Sequence, residues 1–182
     1  MYPNLSDFEV DNTYTINFPN MFALSKKIER ATGLNTTAKY ASTDFQTTNY
    51  GLGGLCETHF DPYGYTEGAQ LPDKGGFLKL RRQGDMMATM MGWLEDVPAG
   101  GATAFSMPYH ETLVWPERGS AAFWFNLDKK GHKDKRLLHG GCPIIKGSKW
   151  IVNKWIYYFD QFHTHPCSLG SGEYIKPFSQ HY

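Results

Sequence analysis

A mainly β fold, a sandwich or barrel with one or two helices leaning on one face, is what this sequence predicts. Three observations carry that expectation. Helical periodicity is confined to the first 42 residues. Beyond residue 44 the chain breaks into many short apolar runs punctuated by Gly and Pro. Aromatic residues make up 15% of the composition, which suits strands that pack across a sheet interface. The length, 182 residues, suits one domain with a core large enough to need no staples.

Taken in order, "PNMFALSKKIERATG" reads as a helix. Met21, Leu24, Ile28 and Ala31 follow helical spacing, and Gly33 is placed to stop it. A second short helix is expected through "TTAKYAS". Strands follow at "DFQTTNYG", "ETHFD", "MMATMMGWLEDV", "ATAFS", "TLVWP", "SAAFWFNL", "RLLHGGCPII" and "KWIVNKWIYY". Residues 62–84 have no regular period and carry five glycines, so they read as a long loop. It leaves the chain directly after Asp61 and is positioned to close over whatever that stretch holds. The division expected is a helical support region over 1–43, the main domain over 44–167, and a tail over 168–182.

Charge excludes some functions. Eighteen basic residues balance eighteen acidic ones, which argues against nucleic acid or a membrane surface held by bulk electrostatics. No apolar run is long enough to span a bilayer. The first ten residues, "MYPNLSDFEV", show neither a basic stretch nor an apolar one, so no signal peptide is expected there. Cys56, Cys142 and Cys167 have no CxxC spacing, and by number alone they read as three reduced thiols.

The chemistry is concentrated in "CETHFDPYG". On a strand, His59 and Asp61 share a face and Phe60 takes the other. A carboxylate inside a barrel is costly unless it is paired or holds a metal. Alone, the pair reads as a salt bridge. His139, in the strand-like "RLLHGGCP", supplies a third ligand, and two His with one carboxylate form the facial triad of non-haem Fe(II) oxygenases. Gly140 and Gly141 leave room beside it. Lys149 lies ten residues on. A dicarboxylate cosubstrate would satisfy it, one end on the metal and the other on the ammonium. A second H-x-D, His132-Lys133-Asp134, falls in a charged turn and reads as a solvated accident. His163 and His165 sit in a Pro-containing tail without a carboxylate and read as surface residues.

Four stretches, "NYGLGGLCETHFD", "DVPAGGATAF", "VWPERGSAAFWFNL" and "HGGCPIIKGSKWIVNKWI", together resemble the catalytic domain of the collagen-type prolyl 4-hydroxylase α subunit. The resemblance covers most of residues 44–167. It implies a double-stranded β-helix (jelly-roll) and a dioxygenase that uses Fe(II), 2-oxoglutarate and L-ascorbate, releasing succinate and CO2 as peptidyl proline is hydroxylated. It implies His59, Asp61 and His139 as iron ligands. Lys149 would meet the distal carboxylate of 2-oxoglutarate, with Tyr50 and Thr103 beside it, and Trp155 would lie near the substrate. It also implies a Cys142–Cys167 disulfide, the endoplasmic reticulum lumen, and protein disulfide isomerase as a partner subunit.

Two positions depart from that family. Cys56 stands where the collagen enzymes have a tyrosine, and Met86 where they have an arginine. Both positions serve the substrate in related enzymes, so a weakened substrate pocket is expected. The alternative is a catalytically impaired paralogue acting as a subunit or peptide-binding module. A metal-storage barrel, with Lys149 merely structural, is the third reading.

Overall fold

The computed structural model describes residues 19–63, 80–106 and 111–167. Most of the expected 62–84 loop and the whole 168–182 tail lie outside the described residues.

The first described element is helix α1, Pro19–Thr32. Gly33 ends it at a φ of 72°, donating its amide to the Glu29 carbonyl. The buried positions are Ser25, Ile28 and Thr32, whereas Met21 and Leu24 are exposed. The buried stripe is thus displaced from the expected one. The segment that follows α1 accounts for this: Leu34 is fully buried and Thr36 donates its hydroxyl to the Ser25 carbonyl, anchoring that face.

The second helix expected at "TTAKYAS" is a turn. Asn35 Oδ1 accepts from the amides of Thr37 and Ala38, and Glu29 Oε1 accepts from those of Thr36 and Thr37. These side-chain acceptors claim the amides that a helix would have used.

Among the described residues the strands are β1 Gln46–Tyr50, β2 Cys56–His59, β3 Met86–Trp93, β4 Ala99–Gly100, β5 Thr103–Ser106, β6 Glu111–Val114, β7 Ala121–Phe125, β8 His139–Gly141, β9 Ile144–Lys146 and β10 Lys149–Tyr157. One four-stranded sheet runs β1-β10-β3-β7, a second runs β2-β8-β5-β6, and β4 pairs β9. Every pairing among these strands is antiparallel. Apart from the β5–β6 hairpin, consecutive strands fall in different sheets, which is the jelly-roll arrangement expected.

Each face of the β1-β10-β3-β7 sheet has its own apolar cluster. Ile28 and Leu34 of the α1 region pack with Ala88, Phe125 and Ile156. Met91, Trp93, Trp124 and Ile151 pack with Phe105 of the other sheet. Strand alternation explains the division: Ile151 and Ile156, an odd number of residues apart on β10, look to opposite faces. Inter-sheet packing leaves a cavity of about 200 Å³, and this holds the candidate site.

Candidate metal centre

β2 and β8 bring the first two histidines together. His59 and His139 are register partners, with ring centroids 4.5 Å apart. β8 can approach β2 this closely because it reads His-Gly-Gly. A Cβ on Gly140 would lie 3.0 Å from the Cys56 carbonyl oxygen, and one on Gly141 would lie 3.2 Å from the Cys56 Cβ. The glycines were expected to leave room for a ligand; the room is taken by β2 itself.

Asp61 lies just beyond β2. Its Oδ1 is 3.5 Å from His59 Nε2 and 3.8 Å from His139 Nε2. One ligand atom from each of the three residues lies within 4.8 Å of the other two. Each ring is aimed by its far nitrogen. His59 Nδ1 donates to the Glu57 carbonyl at 2.8 Å and His139 Nδ1 to the Leu137 carbonyl at 2.9 Å. A carbonyl only accepts, so Nδ1 carries a proton in both rings, and Nε2 of each ring is the atom turned towards the carboxylate and open to a metal once it carries no proton. The donor set, two imidazoles and one carboxylate, fits a divalent iron.

The two histidines differ in environment. The His59 side chain is 42% exposed and that of His139 is 8% exposed. The hydrogen bond to Asp61 raises the His59 pKa against a smaller lowering by burial. Burial lowers that of His139, outweighing the Leu137 carbonyl and the Asp61 charge. Burial pushes the Asp61 carboxyl up, but hydrogen bonds from His59 and Thr89 and the nearby imidazoles hold it below its usual value.

Lys149 opens β10 and faces the same cavity. It is 3% exposed, and its Nζ reaches Thr103 Oγ1 at 3.3 Å. Burial lowers its pKa, while the Cys142 and Cys56 thiols act the other way. Tyr50 is its register partner on β1, with the ammonium 5.9 Å from the ring centroid. Burial raises the Tyr50 pKa, with Cys56 adding to the shift. Among the described residues no carboxylate forms an ion pair with Lys149. A buried ammonium served by a hydroxyl is short of an anion. The cavity thus has a divalent-cation site on one side and an unpaired ammonium on another, which suits a small dicarboxylate that touches both.

Three other polar atoms among the lining residues are buried with no partner among the described residues: Trp124 Nε1, Trp155 Nε1 and Asn153 Oδ1. An unpartnered buried group costs about 1–3 kcal/mol, so these two donors and one acceptor are a cost the fold carries beside the cavity. Trp155 was expected near the substrate from the sequence; Trp124 and Asn153 were not singled out. Their strands read as ordinary apolar runs, and no motif marks either residue.

Cys56 also faces the cavity, its Sγ 3.8 Å from His59 Nδ1. Regular alternation would turn Cys56 and His59 to opposite faces. The register shifts between them: three residue steps on β2 match two on β8 (Cys56 with Gly141, His59 with His139). That bulge rotates both side chains to one face. Met86 begins β3 opposite Tyr157 and is not among the lining residues.

The expected Cys142–Cys167 disulfide is absent; all three cysteines are free. Cys142 lines the cavity near Lys149, at the start of β10. The Cys167 thiol lies 2.8 Å from the Tyr158 hydroxyl, just past the end of the same strand. At about 3.3 Å per residue, a strand of this length separates its ends by roughly 25–30 Å, whereas a disulfide needs Cα atoms within about 7 Å. The bridge therefore supplies no argument for an oxidising compartment.

The second H-x-D triplet does not join the site. His132 pairs with Asp128 at 3.5 Å on the surface. Asp134 is not solvated as expected: it is buried, caps the short 3-10 turn Lys135–Leu137 and binds Arg136 at 2.7 Å. His163 is exposed and stacks on Phe162. His165 is half-buried, which lowers its pKa.

Comparison with known proteins agrees with this geometry. A family model described as the 2OG-Fe(II) oxygenase superfamily matches residues 45–157. The chain is 40% identical over 150 residues to prolyl 4-hydroxylase subunit alpha-3 of Homo sapiens, a match covering 82% of this chain and 26% of that protein. It is 36% identical over 155 residues to subunit alpha-1 of Homo sapiens, covering 85% of this chain and 27% of that protein. The chain thus spans about a quarter of the length of the curated relatives it matches. Among solved structures, the 2OG complex of the viral collagen prolyl hydroxylase from Paramecium Bursaria Chlorella virus-1 superposes with a TM-score of 0.59 at 25% identity, covering 75% of this chain and 72% of that one.

Proposed function

Because the chain belongs to the 2OG-Fe(II) oxygenase superfamily, we propose that it is an Fe(II)- and 2-oxoglutarate-dependent dioxygenase that hydroxylates proline in a peptide. The observation that carries this reading is the shared cavity: His59, Asp61 and His139 converge on one side and the buried, anion-deficient Lys149 faces them from another.

His59 Nε2, His139 Nε2 and one Asp61 oxygen would hold the iron. When bound, iron and 2-oxoglutarate supply the oxidising chemistry, with succinate and CO2 as coproducts. The chain's own residues bind, orient and exclude water. Lys149 would fix the distal carboxylate by a charge-assisted hydrogen bond, and Thr103 would hold the ammonium in place. Tyr50 walls the pocket beside them. Met91, Ile151 and Trp124 keep the space between largely apolar, which strengthens each charge interaction in it. Cys56 and Trp155 border the same space and are the residues proposed to meet the substrate. Ascorbate as reductant, a lumenal location and a partner subunit belong to this proposal only by similarity to the α subunits.

The test is product analysis. Purified protein with Fe(II), 2-oxoglutarate, ascorbate and a Pro-Pro-Gly peptide should add one oxygen to proline, read by mass spectrometry. Succinate formed without any modified peptide would refute proline as the target. No succinate under any condition would favour the impaired paralogue, a reading that the thiol of Cys56 beside His59 supports.

A further inference from the structure

The geometry points to Thr89 and Asn126 as positioning residues that fix which oxygen of Asp61 faces the metal. The inference rests on the proposed metal site. Thr89 lies on β3 between register partners on both sides, Trp155 and Trp124, so its backbone is held. Asn126 is pinned by its main chain as well: its amide donates to the Met87 carbonyl at 2.7 Å, and its carbonyl accepts from the Asp134 amide at 2.9 Å. Both side chains are 2% exposed, so water does not compete for their bonds.

The direction of the hydrogen bonds is what makes this a device. Asn126 Nδ2 donates to Thr89 Oγ1 at 2.8 Å. An amide nitrogen cannot accept, so the Thr89 hydroxyl proton must turn elsewhere. It donates to Asp61 Oδ2 at 2.5 Å. Oδ2 is thereby engaged, and Oδ1 is the oxygen left facing both Nε2 atoms. A carboxylate held in this way gives one oxygen to a cation and leaves the neighbouring coordination position open for other ligands. Nothing in the local sequence marks the role. Thr89 is a lone polar residue in "MMATMM", where a β-branched residue is expected anyway.

Co(II) titration of the full chain, followed by its visible absorption, tests the inference without turnover. Thr89→Val keeps the side-chain shape and removes the donor. Thr89→Ser keeps the donor. Asn126→Asp replaces the Nδ2 donor by an acceptor and draws the hydroxyl away from Asp61. Outer partners of metal ligands are worth about 10- to 100-fold in affinity. Thr89→Val and Asn126→Asp should each lose Co(II) affinity in that range and show an altered absorption spectrum. Thr89→Ser should retain the wild-type spectrum and bind within a few-fold. If Thr89→Val lowers the melting temperature while affinity and spectrum stay as in wild type, Thr89 is structural and the inference is overturned alone. If wild-type protein binds no Co(II), the metal reading falls and takes the inference with it.

Discussion

His59 and His139 are register partners across β2 and β8, with the Nε2 atoms of both rings turned to one oxygen of Asp61. Two residues far apart in sequence thus form one wall of the site through a single strand pairing. Loss of any of the three removes a ligand and leaves the other two in place. His59→Ala, Asp61→Ala and His139→Ala should therefore each abolish stoichiometric Fe(II) binding in anaerobic equilibrium dialysis. His132→Ala should bind normally, because His132 pairs with Asp128 at the surface. Asp134→Asn should retain iron but melt at lower temperature, since the buried Asp134 carboxylate loses its charge pair with the exposed Arg136.

Lys149 should matter to the cosubstrate and not to the metal. A hydrogen bond between charged groups is worth about 1.5–3 kcal/mol. Lys149→Met, which keeps most of the volume, should weaken 2-oxoglutarate about 10- to 150-fold in calorimetric titration, with iron still bound. Equal affinity in variant and wild type would place the distal carboxylate elsewhere.

The thiols give a third expectation. Alkylation of the denatured, unreduced protein should modify Cys56, Cys142 and Cys167 alike, because none is bridged. In the folded protein Cys167 is exposed and should react first, whereas 2-oxoglutarate should slow Cys56 and Cys142, which line its proposed cavity. Intact mass after each time point reports this. A pair of cysteines that resists alkylation until reduced would reinstate a disulfide.

Part of the site is legible in the sequence from spacing alone. His59 and Asp61 are readable as neighbours, although the strand expected to carry both ends at His59, and Lys149 is readable as a cation entering an apolar strand. What failed to show has physical causes. The β2 bulge that turns Cys56 to the His59 side is a register shift between two strands, and no single segment encodes it. β4 is two residues long, too short to show any period. The second helix was lost to side-chain acceptors on Asn35 and Glu29, which win over a weak local preference. Thr89 and Asn126 were invisible because a buried threonine or asparagine declares itself only through the partner that folding brings to it.

Lys154 gives a prediction about stability. It is 2% exposed on β10, donates to the Thr43 carbonyl at 2.8 Å and lies 4.5 Å from the Phe45 ring centroid. Burial lowers its pKa from 10.5 to about 8, against weaker raising by Asp44 and Glu29. Between those values the unfolded chain holds the proton and the folded chain releases it, so stability rises with pH across that window. Below about pH 8 the cost of burying the charge is present in full. Denaturant melts of wild type and Lys154→Met should diverge in favour of wild type from pH 8 to 10.5, by up to about 3 kcal/mol. Subtracting the variant removes common titrations such as that of Tyr157, which burial raises to about 12. Parallel curves would show that Lys154 keeps its ordinary pKa.

The most direct measurement of the proposed activity is succinate formed from 2-oxoglutarate by wild type and by His139→Ala, in matched reactions with Fe(II) and O2. His139 is the buried histidine of the triad, and its loss leaves Lys149 and the rest of the cavity lining intact. Wild type should release succinate in proportion to enzyme and time, and His139→Ala should give no more than the enzyme-free control. Equal succinate from both proteins would contradict a metal centre built on His59, Asp61 and His139.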